Sequence, residues 1–113
     1  MFLRNIISDN PQIESIILFG SYATKSYTSE SDVDLCILFK QGTNRSSEIE
    51  IHEKILDLSK DLDLIIQCLY IYLEKIQNWD ETLIEDILVE GILMYGSNKY
   101  KTIFQNELKN IVY

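Results

Sequence analysis

Two kinds of polar residue stand beside short apolar runs in the first third of the chain. A Gly20-Ser21 turn follows the run 16–19, and Asp32 and Asp34 open the apolar segment 32–39. Because successive strand side chains point to opposite faces, the two aspartates are predicted to lie on one side of a strand, roughly 7 Å apart. Two such carboxylates are costly unless a cation lies between them. Hard oxygen ligands on a rigid strand suit Mg²⁺, which takes one or two carboxylates and completes its shell with water and substrate phosphates.

The Gly-Ser turn supplies the complementary half of a site. Gly20 permits positive φ and a close approach of the backbone to a ligand. Ser21 is predicted to be the N-cap of a short helix over 22–24, and N–H groups at a helix start bind anions. A phosphate site that faces a metal-binding carboxylate pair indicates transfer of a nucleotidyl group.

Hydrophobic periodicity predicts the elements that position these residues. The predicted strands are 14–19, 32–39, 61–69 and an edge strand at 92–96. The predicted helices are 1–8, 48–58, 70–79, 81–90 and 98–112. Asp80 is the expected N-cap of the fourth helix, and Gly91 the residue that ends it.

Composition limits the class of protein. The 113 residues are expected to form one domain, with 46% hydrophobic and 25% charged residues. A net charge of −8 argues against direct nucleic-acid binding. No signal peptide and no membrane-spanning run is recognisable, so a cytoplasmic location is expected. Cys36 and Cys68 lie in apolar runs and are expected to be reduced, and His52, the single histidine, is expected at the surface.

The spacing of the polar residues resembles a known family. Gly20-Ser21, ten residues, then Asp32-x-Asp34 is similar to the signature of the polymerase-β-like nucleotidyltransferases. The short chain most resembles their minimal nucleotidyltransferase (MNT) branch, which is often paired with HEPN toxins. The resemblance covers about 16–96. It implies an α/β (α+β) fold with a small mixed sheet and helices packed mainly on one face, as a single minimal nucleotidyltransferase domain over 1–113.

The resemblance also implies a third carboxylate on a neighbouring strand. Asp63 matches that position, in a segment resembling V-D-L-V, and Asp61 is the alternative on the same face. With Asp32 and Asp34, Asp63 would hold two Mg²⁺ ions and help to deprotonate the attacking hydroxyl.

The phosphates of a nucleoside triphosphate, expected to be ATP, would be bound by Gly20, Ser21 and Lys25. Many relatives carry an arginine here, in forms like G-S-x-A-R-G, whereas this chain has Thr24 and Lys25. A basic contact to phosphate would therefore come from Lys25 or from elsewhere.

The function that the resemblance implies is transfer of AMP from ATP to a hydroxyl, expected to be a tyrosine, on a HEPN-type toxin that the chain neutralises. Two alternatives stay open: an antitoxin that acts by binding alone, favoured by the missing arginine, and a small-molecule nucleotidyltransferase of the antibiotic-modifying type. The sequence leaves open the nucleobase, the acceptor residue, and whether the chain forms a homodimer or a hetero-oligomer.

Overall fold

A four-stranded mixed sheet organises the chain. The computed structural model describes residues 10–112, and side chains to residue 109. The sheet order is β3-β2-β1-β4, with β1 antiparallel to β2 and β4, and β2 parallel to β3. The strands are β1 (Ile13–Phe19), β2 (Val33–Phe39), β3 (Ile66–Tyr72) and β4 (Ile92–Gly96). The helices are α1 (Ser21–Thr24), α2 (Arg45–Leu62), α3 (Glu81–Glu90) and α4 (Tyr100–Val112), with a 3₁₀ helix at Leu73–Asn78.

Strand β2 is the centre of the core because helices cover both of its faces. Leu35, Ile37 and Phe39 point toward α2, where they pack with Ile51 and Ile55. On the opposite face, the core cluster contains side chains of β1, β2 and β3 together with those of α3 and α4: Ile17, Cys36, Leu38, Ile71, Ile84, Ile87, Tyr100 and Phe104. All five residues of 35–39 are buried, so β2 holds a fixed position from which Asp34 projects at its open end.

The predicted small mixed sheet is confirmed, but helices pack on both of its faces and not mainly on one. Helix α2 covers one face, and α3, α4 and the 3₁₀ helix cover the other. Helices are therefore more numerous on the face of Cys36 and Leu38, but the opposite face is not open. Among the described residues, no helix is long and apolar enough to cross a membrane.

Most predicted elements are confirmed within a few residues, including the edge strand β4 and helix α3 over 81–90. The prediction of a helix over 70–79 is wrong in its first part, because β3 pairs with β2 as far as Tyr72 opposite Phe39. The predicted helix over 1–8 lies outside the described residues. Cys36 and Cys68 are free thiols, as expected, and burial raises the pKa of Cys36 to about 12.

Helix α3 begins at the predicted cap. The carboxylate of Asp80 accepts hydrogen bonds from the Thr82 N–H at 2.7 Å and the Leu83 N–H at 3.4 Å. Gly91 ends the helix with φ −62°, in an extended rather than a left-handed conformation. The cap thus fixes the start of the helix that carries Leu83 toward the site described below.

We expect Asp80→Ala to lower the free energy of unfolding by about 1 kcal/mol, the usual cost of losing an N-cap side chain. Chemical denaturation measures the loss. Glu85→Ala, in the exposed middle of the same helix, is the control and should change stability by less than about 0.5 kcal/mol. Equal effects of the two substitutions would contradict the capping role.

Candidate active site

The Gly20 turn forms one wall of the site. Gly20 has φ 74° and ψ −157° and serves as the N-cap of α1, and its carbonyl accepts hydrogen bonds from the Ala23 and Thr24 N–H groups at 3.0 and 3.1 Å. The predicted short helix is therefore present, but Ser21 is its first residue rather than its cap. Gly20 is the residue that the turn requires, since φ in this range is strained for residues with a side chain.

Gly20 lies directly against the Asp34 carboxylate. A Cβ atom placed on Gly20 would lie 2.3 Å from Asp34 Oδ2 and 3.2 Å from its Cγ. The pairing of β1 with β2 causes this approach, because Phe19 is opposite Asp34 and Gly20 is the next residue. The Asp34 carboxylate can therefore occupy this position only because residue 20 has no side chain.

Asp32 and Asp34 are brought together at the start of β2, as predicted. Partial burial, and then the neighbouring charge of Asp32, raise the pKa of Asp34. Among the described side chains, no lysine or arginine forms an ion pair with either carboxylate. Within residues 10–109 the pair is therefore a negative site without a cationic side chain beside it, and carboxylate oxygens of this kind are what Mg²⁺ prefers.

Asp63 does not join this pair. Helix α2 continues to Leu62, and Asp63 follows it as an exposed C-cap with φ 52°. The prediction that 61–69 is one strand is wrong in its first five residues, and Asp61 lies within α2. In residues 10–109, no group of three or more His, Cys, Asp or Glu side chains is placed to hold a metal ion.

Gln67 takes the place on β3 that was predicted for Asp63. It is in register with Asp34 on the neighbouring parallel strand, and its side-chain Nε2 donates to Asp32 Oδ2 at 2.8 Å. A pattern of acids and bases does not include it, because a glutamine does not ionise. The signal in the sequence is its spacing, since Gln67 alternates with the apolar residues of 66–72.

A cavity of about 260 Å³ opens beside the carboxylates. Its lining combines Asp34 and Gln67 with apolar side chains from two strands and from α3: Phe19, Cys68, Leu69 and Leu83. A carboxylate that can hold a cation and an apolar wall in one cleft suit a ligand whose phosphates bind through that cation and whose uncharged ring packs on the wall.

The remaining predicted residues lie on or after α1. Ser21 is half-buried, and Lys25 is exposed with φ 63° at the C-cap of α1. The loop that follows contains Tyr27, whose ring stacks on Tyr22 with centroids 4.5 Å apart. His52 is exposed, as expected, and its Nδ1 lies 3.2 Å from the Tyr70 hydroxyl.

The Gly20-Ser21 turn packs against Asp34 of the next strand, with Asp32 beside it, and this is the arrangement that a nucleotidyltransferase resemblance implies. Residues 2–100 match the family described as Polymerase beta, Nucleotidyltransferase. The match covers most of the chain, so the protein belongs to this family.

Curated relatives carry adenylyltransferase names. "Putative protein adenylyltransferase MJ1379" of Methanocaldococcus jannaschii is 44% identical over 64 residues, which are 52% of this chain and 64% of that protein. "Protein adenylyltransferase MntA" of Shewanella oneidensis is 23% identical over 101 residues, 88% of this chain and 66% of that protein. The chain thus spans somewhat less than two thirds of the length of these relatives.

Solved structures share the fold. A chain of a structure described as a toxin-antitoxin with AMP-PNP superimposes with a TM-score of 0.69 at 20% identity, covering 98% of this chain and 84% of that one. The spectinomycin adenyltransferase AAD(9) of Enterococcus faecialis, with ATP and spectinomycin, gives a TM-score of 0.74 at 12% identity, covering 98% of this chain and 62% of that one. These likenesses show that the chain has the fold of these proteins.

We expect Gly20→Ala to be more destabilising than Gly42→Ala. Both glycines have positive φ, 74° and 84°, but a Cβ on Gly42 would meet nothing within 4 Å. Gly42→Ala therefore measures backbone strain without a side-chain overlap, about 1–2 kcal/mol. Gly20→Ala adds about 1–3 kcal/mol for the overlap with Asp34, and its ψ of −157° adds strain of its own because that region is essentially restricted to glycine. Urea unfolding at pH 7 measures both.

The same measurement in an Asp34→Ala background isolates the contact. There the cost of Gly20→Ala should fall toward that of Gly42→Ala, because the overlapping carboxylate is gone. If Gly20→Ala were no costlier than Gly42→Ala in the parent protein, the contact with Asp34 would not constrain this turn.

The raised pKa of Asp34 predicts a pH-dependent effect of Asp34→Asn on the metal-free protein. A carboxyl whose pKa is higher when folded stabilises at low pH, and that contribution is lost as the pH rises through the folded pKa. Asparagine stays neutral, so Asp34→Asn should raise the free energy of unfolding at pH 7 relative to the parent and lose this advantage below the ordinary aspartate pKa of about 3.9. Denaturant unfolding at both pH values, with Asp57→Asn on the exposed side of α2 as the control, tests it. A decrease in stability at pH 7 would contradict the repulsion.

Proposed function

We propose that this chain is a magnesium-dependent nucleotidyltransferase that moves AMP from ATP to a hydroxyl, expected to be a tyrosine, on a HEPN-type toxin. The observation that carries the proposal is the contact between the Gly20 turn and the Asp34 carboxylate. It joins a backbone that suits phosphate to a carboxylate that suits a metal ion.

The residues present fit a divalent cation. Asp32 and Asp34 would hold it, because they share one end of β2, and the pKa of Asp34 is raised by burial and by the charge of Asp32 rather than lowered by a cationic partner. When bound, Mg²⁺ supplies positive charge that offsets the charge of the triphosphate and of the departing pyrophosphate.

The chain's own groups would bind and orient the nucleotide. The Gly20 turn allows its backbone to approach the β- and γ-phosphates closely, with the Ser21 hydroxyl and Lys25 as further donors. Phe19, Leu69 and Leu83 line the apolar part of the adjacent cavity, where an uncharged ring would exclude water. Catalysis of this kind is chiefly positioning and charge stabilisation.

The transfer itself is a substitution at phosphorus. The acceptor oxygen forms a bond to the α-phosphorus, the bond from the α-phosphorus to the bridging oxygen breaks, and pyrophosphate leaves with that electron pair. The acceptor proton passes to solvent.

A protein acceptor is supported by the relatives and by charge. MntA is named a protein adenylyltransferase, and one structural neighbour is described as a tri-AMPylated Shewanella oneidensis HEPN toxin in complex with an MNT antitoxin. A net charge of −8 would attract a partner with a basic RNA-binding face, and this attraction would weaken with salt.

A second candidate is an antitoxin that neutralises its partner by binding alone. The observation that favours it is the side chain next to the carboxylate pair on β3, which is Gln67 and not an acid. Such a site would bind a nucleotide and metal without efficient transfer.

We expect intact-mass measurement of a co-expressed toxin partner to show an added AMP mass that Asp32→Ala and Asp34→Ala abolish. The partner to use is a HEPN-type protein whose gene lies next to the gene of this protein. Asp57→Ala, which removes an exposed carboxylate from α2, is the matched control and should leave the modification unchanged.

The outcomes separate the candidates. An unmodified partner that is nevertheless bound and inactive would overturn the transfer and leave the binding antitoxin. Modification that persists in Asp32→Ala and Asp34→Ala would overturn the assignment of the carboxylates.

A further inference from the structure

Gln67 is the one polar side chain on β3 that faces the carboxylate pair. In a parallel pair, residues in register point to the same side of the sheet, and Gln67 is in register with Asp34. The next inward positions along β3, Leu69 and Ile71, join the core on that face. Gln67 and Asp34 also line the same cavity.

The side-chain amide of Gln67, on β3, forms a hydrogen bond with Asp32, which lies just before β2. Its Nε2 donates to Asp32 Oδ2 at 2.8 Å, although the two residues are 35 positions apart in the chain. Asp32 precedes the first residue of β2, so the sheet pairing of β2 does not fix its side chain. The hydrogen bond to Gln67 supplies that restraint from a neighbouring strand.

The neutrality of Gln67 sets the charge of the site. Asp32 and Asp34 already place two like charges at the start of β2, and like charges this close repel each other. An acid at position 67 would add a third negative charge within hydrogen-bond reach of Asp32, whereas an amide adds a donor and no charge. The protein without metal is therefore less strained with glutamine than it would be with glutamate.

We infer that Gln67 is a positioning residue that orients Asp32 and limits the affinity of the site for a free divalent cation, so that the cation binds chiefly together with a nucleotide. This inference rests on the proposed function and deepens it. Two carboxylates form an incomplete shell for Mg²⁺, and phosphate oxygens of the nucleotide complete it. Because an amide does not accept the proton of an attacking hydroxyl at neutral pH, position 67 also supplies no general base.

The inference is tested with the variant Gln67→Glu. The variant and the parent are titrated with Mn²⁺ alone, and the electron paramagnetic resonance signal of the free ion reports how much is bound. This substitution exchanges one NH₂ group for oxygen and keeps the side-chain length. Without nucleotide or partner, Gln67→Glu should bind Mn²⁺ at least about 10-fold more tightly than the parent, by comparison with the effect of single groups around metal sites. Without metal, it should unfold at a lower temperature than the parent, and Mn²⁺ should raise its Tm by more.

Gln41→Glu is the matched control. Gln41 is exposed in the turn after the other end of β2, so the variant carries the same change in net charge away from the site. If Gln67→Glu and Gln41→Glu bind Mn²⁺ with the affinity of the parent, the inference is overturned. The titration requires no transfer, so a chain that never modifies a partner but shows the tighter Mn²⁺ binding would overturn the proposed function and leave the role of Gln67 standing.

Discussion

The site depends on one close approach, that of the Gly20 backbone to the Asp34 carboxylate. Antiparallel pairing of β1 with β2 places Phe19 opposite Asp34, so the turn at Gly20 must leave the sheet directly over an acidic side chain. Only a residue without a Cβ can do so at φ 74° without displacing the acid. The register of two core strands thereby determines which backbone atoms and which carboxylate share the cleft.

The core makes this arrangement tolerable. Repulsion between Asp32 and Asp34 would favour separation of the start of β2 from its neighbouring strands. The residues that follow them are buried on both faces of the sheet. The strand is held by α2 on one side and by α3 and α4 on the other, so the repulsion is opposed by packing that lies beyond the site. Proteins commonly accept such local cost where a ligand is to be bound.

Sequence alone predicted most of the fold and the carboxylate pair beside the Gly20 turn, but it did not predict the β3 residue next to that pair. Apolar runs that end at Gly20 and begin at Asp32 have an unambiguous period, and the cap at Asp80 has a specific chemistry. The segment 61–69 was ambiguous, because its alternating leucines and aspartates imitate a strand. Asp63 instead ends a helix in the left-handed conformation, which aspartate tolerates better than most residues. That shift in the start of β3 moved Asp63 away from the carboxylate pair and left Gln67 beside it.

The side chain at position 67 also bears on how such a site can change over generations. Glutamine codons differ from glutamate codons only in their first base, so one transversion replaces the amide that holds Asp32 with an acid. Gly20 offers no comparable freedom, since every replacement adds a side chain where the Asp34 carboxylate lies. Within one cleft, selection can therefore adjust the charge on β3 in a single mutational step while the turn on β1 stays fixed.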